Sequence, residues 1–231
     1  MEKIALLPGS FKPPHAGHYN AAKWLAKNTD AEEIKVKVGS GVRGGISREM
    51  SLQLWTLYIQ SDEDPLSNKL SVEASKNNSP VRDVYEYIEN PPNSEVKIIY
   101  LGLGKKDIEG GRYKNAPKYA KKGVEVKTKE IPPQDGGISG EVMRSFIKNN
   151  DKVSFINNLP KHLSPEQKAE AWNVVFSATK EIEPAKDVRA MSKQLEEDLY
   201  NPNDKVLDYM KSNDFKRGKT KKDDIPRAYK Y

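Results

Sequence analysis

Apolar residues recur along this chain with two alternating periods. Ile4-Ala5-Leu6-Leu7 is a short apolar run, and Tyr19 to Lys27 then places Ala22, Leu25 and Ala26 at helical spacing, so a strand followed by a helix is predicted. Glu33 to Val38 alternates polar and β-branched residues, the pattern of a strand with one covered face. Ser47 can cap a helix from Arg48 to about Gln60, with Leu52, Trp55 and Ile59 as its apolar stripe and Tyr58 beside it. Lys69 to Ser75 reads as a third strand. Ser79-Pro80 opens a helix with a capping residue, carries Val81, Val84, Tyr85 and Ile88 on one face, and is ended by Pro91-Pro92. Val96 to Leu101 is the most apolar strand, expected at the centre of a parallel sheet. A short basic helix over Lys114 to Lys122, a fifth strand over Val124 to Glu130 and a helix from Gly140 to Asn149 follow, while Gly39 to Gly45 and Gly102 to Arg112 are too glycine-rich for regular structure.

Strand and helix in repeated alternation imply an α/β fold, a doubly wound parallel five-stranded sheet covered on both faces. Its ligands are expected at the carboxyl ends of the strands, where the loops at 9–18, 39–47 and 102–112 gather. Beyond Asp151 the pattern changes. Ser164-Pro165-Glu166-Gln167 is a capping box opening a helix to about Thr179, with Ala169, Trp172, Val175 and Phe176 on one side. Glu183 to Leu199 and Asp204 to Lys211 are further, highly charged helix candidates. The chain is therefore expected to divide into a sheet domain over 1–150 and a charged helical extension with a basic tail over 151–231.

Composition narrows the chemistry. The chain has no cysteine, which removes disulfides, thiolate metal sites and a cysteine nucleophile, and its three histidines cannot supply a structural zinc site alone. No signal peptide or membrane span is expected, and the reading is a soluble cytoplasmic protein. The formal charge is +6, yet Asn213 to Tyr231 alone holds seven Lys/Arg against three Asp. The body is close to neutral, so overall charge gives no reason to expect nucleic acid on the folded core.

The chemistry-bearing stretch is Pro8 to His18, reading Pro-Gly-Ser-Phe-Lys-Pro-Pro-His-Ala-Gly-His. A strand, a Gly/Pro turn and a helix start should leave the first helical N–H groups pointing at whatever sits over the turn, a place for phosphate. Two histidines lie three apart there, with Gly17 between them to allow close approach of the backbone. A second such place is Ile138-Ser139-Gly140-Glu141-Val142-Met143-Arg144, where a hydroxyl precedes a helix and an arginine one turn in can point back to the same end.

Gly9 to His18 resembles the His-x-Gly-His signature of the nucleotidylyltransferase superfamily, and Ile138 to Arg144 resembles its second signature, Ile-Ser-Ser/Gly-Thr-x-x-Arg. Gly102-Leu103-Gly104-Lys105-Lys106-Asp107 resembles, more loosely, a loop that this family places near base and ribose. The resemblance covers about residues 1–150 and implies a Rossmann-like sheet. It also implies direct transfer of a nucleotidyl group, AMP from ATP ahead of a cytidylyl group, to a phosphate-bearing acceptor such as nicotinamide mononucleotide, with pyrophosphate released and no covalent intermediate. By the same resemblance His15, His18, Lys12 and Arg144 are the catalytic candidates. Gly9, Ser10, Phe11, Gly17, Gly102, Asp107, Ser139 and Gly140 would line the nucleotide, and Arg43 and Arg48 would grip the acceptor's phosphate. Magnesium would ride on the triphosphate and no protein metal site is expected.

In the second signature Glu141 stands where the family has threonine, which sets a negative charge near the phosphate end. The alternative reading is therefore a catalytically impaired nucleotide-binding or assembly protein that uses its C-terminal extension as an interface to itself or a partner protein. Class I aminoacyl-tRNA synthetases also carry His-x-Gly-His, and Ala190-Met191-Ser192-Lys193 echoes their Lys-Met-Ser-Lys loop, but that segment falls in a charged helix candidate beyond the sheet.

Overall fold

A computed structural model describes residues 2–61, 66, 68–76 and 79–180. Five strands, β1 (Glu2–Gly9), β2 (Glu33–Val38), β3 (Leu70–Ala74), β4 (Val96–Gly104) and β5 (Glu125–Ile131), form one all-parallel sheet in the order β3-β2-β1-β4-β5. The central strand is thus β1, and β4, expected at the centre, lies one place out. Both are inner strands, which is why both lack polar alternation. In β1, Ile4 and Leu6 face a cluster with Val84 and Ile88, while Ala5 and Leu7 face the opposite cluster with Tyr19, Ala22 and Leu25. After β1 the chain builds outward through β2 and β3, then returns to set β4 on the other flank of β1. The strand order reverses between β1 and β4, and parallel sheets open a crevice at the carboxyl ends of such a pair. The turn after β1 stands at that edge.

The helices are α1 (Ala16–Asn28), α2 (Arg48–Ile59), α3 (Pro80–Glu89), α4 (Lys105–Glu109), α5 (Gly140–Lys148), α6 (Lys152–Asn157) and α7 (Pro165–Lys180). Several details differ from the sequence expectation. Helix α1 begins at Ala16, so both histidines belong to its start. Helix α2 buries Ser51, Leu54, Trp55 and Tyr58, with Leu52 and Ile59 only partly covered, because α7 packs on it opposite the sheet and spreads the apolar demand around the helix. Ser79 precedes α3 without a side-chain cap bond. Gly102 to Gly104 extend β4 and α4 follows, where an irregular loop was expected. The basic helix over 114–122 is only a 3-10 turn, Ala116–Tyr119, since Pro117 removes a helical donor.

The larger difference is the boundary expected after Asn150. Phe155, Leu159, Leu163, Ala171, Trp172 and Val175 are buried in the same cluster as α1 and α2, and the first compact unit runs Met1–Ile182. Trp172 meets Phe155 edge-on at 5.4 Å and stacks on Phe176 at 4.8 Å. The capping box is reciprocal: Gln167 N–H donates to Ser164 Oγ at 3.2 Å, and Ser164 N–H to Gln167 Oε1 at 3.0 Å. So α6 and α7 pack on α2 and α5 as part of the same core rather than extend away from it. The helices expected over 183–199 and 204–211, and the basic tail, lie outside the described residues. No helix among the described residues is long and apolar enough to cross a membrane.

Two outcomes follow from this shared core. A chain ended after Asn150 should lose its cooperative thermal transition by circular dichroism, since it removes Phe155, Trp172 and Val175 from the core and uncovers the face of α2 on which α7 packs. Trp172→Ala should cost about 3–5 kcal/mol in urea unfolding, the range for truncating a buried large aromatic.

Candidate active site

The turn after β1 is held from four directions. Phe11 has a left-handed φ of 51°, and its ring folds back over Gly9, where an added Cβ would lie 2.7 Å from Phe11 Cζ. The same ring meets His18 edge-on at 4.9 Å and Trp55 of α2 at 5.5 Å. Tyr58, also on α2, donates its hydroxyl to Pro14 O at 3.0 Å. The Lys12–Pro13 peptide is cis, and Lys12 O accepts from Arg144 Nη1 of α5 at 2.6 Å. Ala16 N–H, one of the helix-start donors expected to face a ligand, is instead taken by Asn158 O at 2.9 Å. That carbonyl follows α6 and leaves no mark in the sequence.

Lys12 is buried, 3% exposed, and its ammonium donates to Ser10 O and Gly39 O at 2.9 Å each. Burial lowers its pKa to about 8; Glu49 pulls it upward, and Arg48 and Arg43 push it down. The two arginines expected to hold an acceptor therefore act electrostatically on Lys12. Arg43 is exposed in a loop closed by its own backbone pairing with Ile46, and Arg48 Nε bonds Glu49 Oε1 at 3.2 Å.

His15 occupies the N-cap position of α1 with extended backbone and is 2% exposed. Its ring lies 3.8 Å from that of His18, tilted by 30°. Both His15 ring nitrogens and His18 Nδ1 are buried with no hydrogen-bond partner. Burial lowers the His15 pKa to about 4, and burial together with His15 holds His18 well below its ordinary value, so both rings are neutral near pH 7. A neutral imidazole offers one donor and one acceptor, and leaving such buried groups unpaired costs about 1–3 kcal/mol each. A ligand that hydrogen-bonds there recovers that cost. At Gly17 an added Cβ would sit 3.1 Å from the His15 ring and 3.3 Å from Ile138 Cγ2, so packing of the pair against the approach to α5 accounts for the glycine.

Helix α5 brings the second stretch to the turn. Ser139 Oγ caps it by accepting from Val142 N–H at 3.3 Å, which leaves the hydroxyl proton free to donate elsewhere. A Cβ on Gly140 would lie 3.1 Å from Lys12 O, and one on Gly44 would lie 2.7 Å from Arg144 Cδ. Both glycines make room for the arginine. Glu141 is exposed. The structure thus gathers Gly9, Ser10, Phe11, Lys12, His15, Gly17, His18, Ser139, Gly140 and Arg144 around one turn. Gly102 instead packs under α1, its Cβ position 2.6 Å from Leu25 Cδ1, and Asp107 stands in α4 accepting from Arg112 Nη1 at 3.4 Å. Sequence reasoning missed Tyr58, Trp55, Gly39 and Asn158; only the glycine-rich loop carried a signal.

No family model matches the sequence, and no curated protein matches it significantly. Among solved structures, Plasmodium falciparum nicotinic acid mononucleotide adenylyltransferase complexed with NaAD superposes with a TM-score of 0.55 at 16% identity, over 78% of this chain and 98% of that one. The same enzyme complexed with APC superposes with a TM-score of 0.53 at 14% identity, over the same shares. The chain has the fold of this adenylyltransferase.

The buried ionisable groups set two pH dependences. Lys12 is charged below about 8, so the difference in affinity for inorganic pyrophosphate between the wild-type chain and Lys12→Met, measured by calorimetric titration, should shrink as pH rises through that value. The unfolded chain binds a proton at His15 near the ordinary pKa of 6.5 whereas the folded chain does so only near 4. Stability should therefore fall as pH drops from 6.5 towards 4, and urea melts of His15→Gln should show a shallower decline.

Proposed function

We propose that this protein is a nucleotidylyltransferase that moves AMP from ATP to a phosphate-bearing small acceptor of the mononucleotide kind, releasing pyrophosphate. The observation that carries the reading is the pair of neutral histidines at the start of α1, with both ring nitrogens of buried His15 and Nδ1 of half-buried His18 unpartnered, on the turn whose Lys12 carbonyl Arg144 binds from α5. The likeness of the fold to an adenylyltransferase supports it. The resemblance of both signatures supports it independently.

In this reaction an acceptor phosphate oxygen attacks the α-phosphorus, the bond to the bridging oxygen of the β-phosphate breaks, and pyrophosphate leaves with the electron pair. No protein nucleophile is required, only placement and stabilisation of charge that moves to the α-phosphate and the leaving group. His18 donates from a neutral ring to the α-phosphate, where hydrogen bonds tighten as charge develops. His15 donates beside it. Lys12, with two of its three protons on main-chain carbonyls, directs the third towards the phosphates. Arg144 has one nitrogen on Lys12 O and keeps its other donors for the pyrophosphate end, where Ser139 adds its hydroxyl. Arg43 and Arg48 stand on the acceptor's side.

Among the described residues no group of three or more His, Cys, Asp or Glu side chains could hold a metal ion, so a divalent cation would arrive on the nucleotide. Magnesium bound to the triphosphate would neutralise the leaving pyrophosphate. Glu141 favours the second reading, nucleotide binding without turnover, by adding a carboxylate to the first turn of α5.

Pyrophosphate release from each nucleoside triphosphate, measured with nicotinamide mononucleotide, nicotinate mononucleotide and other phosphate acceptors, decides between the two. At least one pair should turn over, and His18→Ala should lower the rate by about 10²–10³-fold with the thermal midpoint retained. ATP binding with no turnover for any acceptor would leave the second reading standing.

A further inference from the structure

The near-neutral body conceals one strongly basic segment. Between Gly110 and Val124 the chain carries Arg112, Lys114, Lys118, Lys121 and Lys122 and no acidic residue. All five side chains are exposed. Among the described residues only Arg112 has a carboxylate partner, Asp107 at 3.4 Å. The segment is firmly seated. Tyr113 and Ala116 are buried in the cluster under α3, Lys121 N–H donates to Ile88 O at 3.1 Å, and Tyr85 of α3 donates its hydroxyl to Arg112 O at 3.1 Å.

This seating presents an aromatic ring to solvent. Tyr119 is 53% exposed and meets Tyr85 edge-on at 5.3 Å, while Tyr85 lies parallel to Tyr113 at 6.5 Å. Between α3 and the 3-10 turn a cavity of about 570 Å³ opens, with Tyr85, Tyr119, Asn115, Arg82, Glu86 and Glu89 among its walls. Arg82 Nε is spent on Glu86 Oε1 at 3.2 Å. An acidic peptide would use the lysines but not the ring. A duplex would offer phosphates with its bases already stacked. A single strand uses both features: its bases have free faces for an aromatic ring, its phosphates meet cations, and carboxylate and amide groups in the groove can bond base edges.

We propose that the groove between α3 and residues 112–122 binds single-stranded nucleic acid, with a base stacked on Tyr119 and the backbone tracking Lys114, Lys118, Lys121 and Lys122. The site is independent of the nucleotidyl-transfer reading. It runs against the sequence expectation that the core avoids nucleic acid, which averaged the charge over the whole body.

The test is fluorescence anisotropy of the full chain with a labelled twelve-nucleotide oligo(dA). Because residues 213–231 are basic and will hold any polyanion, the decisive variant removes no charge. Tyr119→Ala should weaken binding roughly tenfold, the scale of one lost base stack, with pyrophosphate release and the thermal midpoint unchanged. The triple variant Lys118→Ala, Lys121→Ala, Lys122→Ala should reduce the slope of log affinity against log salt by about 2. Unchanged affinity in both variants overturns the proposal. So does displacement of the bound twelve-mer by AMP at equal concentration, which would mark a mononucleotide pocket, and so does equal competition by a duplex or by polyglutamate, which would mark attraction by charge alone.

Discussion

The carbonyl of Lys12 is the point on which this site depends. It is gripped by Arg144 from α5, while the ammonium of the same residue grips the carbonyls of Ser10 and of Gly39 at the end of β2. Two segments far from it in sequence, the end of β2 and α5, are thereby fixed to one residue of the turn. A side-chain cation serving main-chain acceptors gains directionality at small entropic loss once the side chain is packed, and removing either cation leaves buried carbonyls unpaired. The glycines at 9, 44 and 140 are the geometric counterpart of these bonds. Each stands where a side chain would occupy the volume of Phe11 or Arg144 or crowd the carbonyl itself.

The electrostatics of the turn differ from those of a simple cationic phosphate cradle. Burial holds both histidine rings neutral and lowers the Lys12 pKa to about 8, so the centre offers directed donors and one buried ammonium in a poorly solvated space, and further charge is supplied from the rim by arginines. Donors fixed before a ligand arrives need little reorganisation when charge moves, which is the requirement of a transfer that uses no protein nucleophile. The cost of this arrangement is carried by the apolar packing of Phe11, Trp55, Tyr58 and α7 around it.

Much of this was legible in the chain. Alternating periods gave five strands and most helices, because inner parallel strands must be apolar on both faces and surface helices must carry a stripe. The gathering of residues around the turn was legible where side-chain identity marks it, at His15, His18, Ser139 and Arg144. What the sequence hid was carried by main-chain atoms or by context. The carbonyl of Asn158 has no residue signature. The boundary after Asn150 looked convincing because α6 and α7 expose charged faces and bury only a narrow stripe through Phe155, Trp172 and Val175. Pro117, in the middle of a basic run, reduced an expected helix to one turn. Gly17 and Gly102 read as ligand-facing, whereas packing explains both.

The bond from Ala16 N–H to Asn158 O has a consequence for biosynthesis. The histidine pair and its turn are synthesised well before two of the partners that fix them, Arg144 on α5 and the carbonyl after α6. Until then the turn has only its contacts with α2 and with Gly39 to hold it. Of the five strands the central one is thus made first, while the turn that follows it receives its last partners only from α5 and the end of α6.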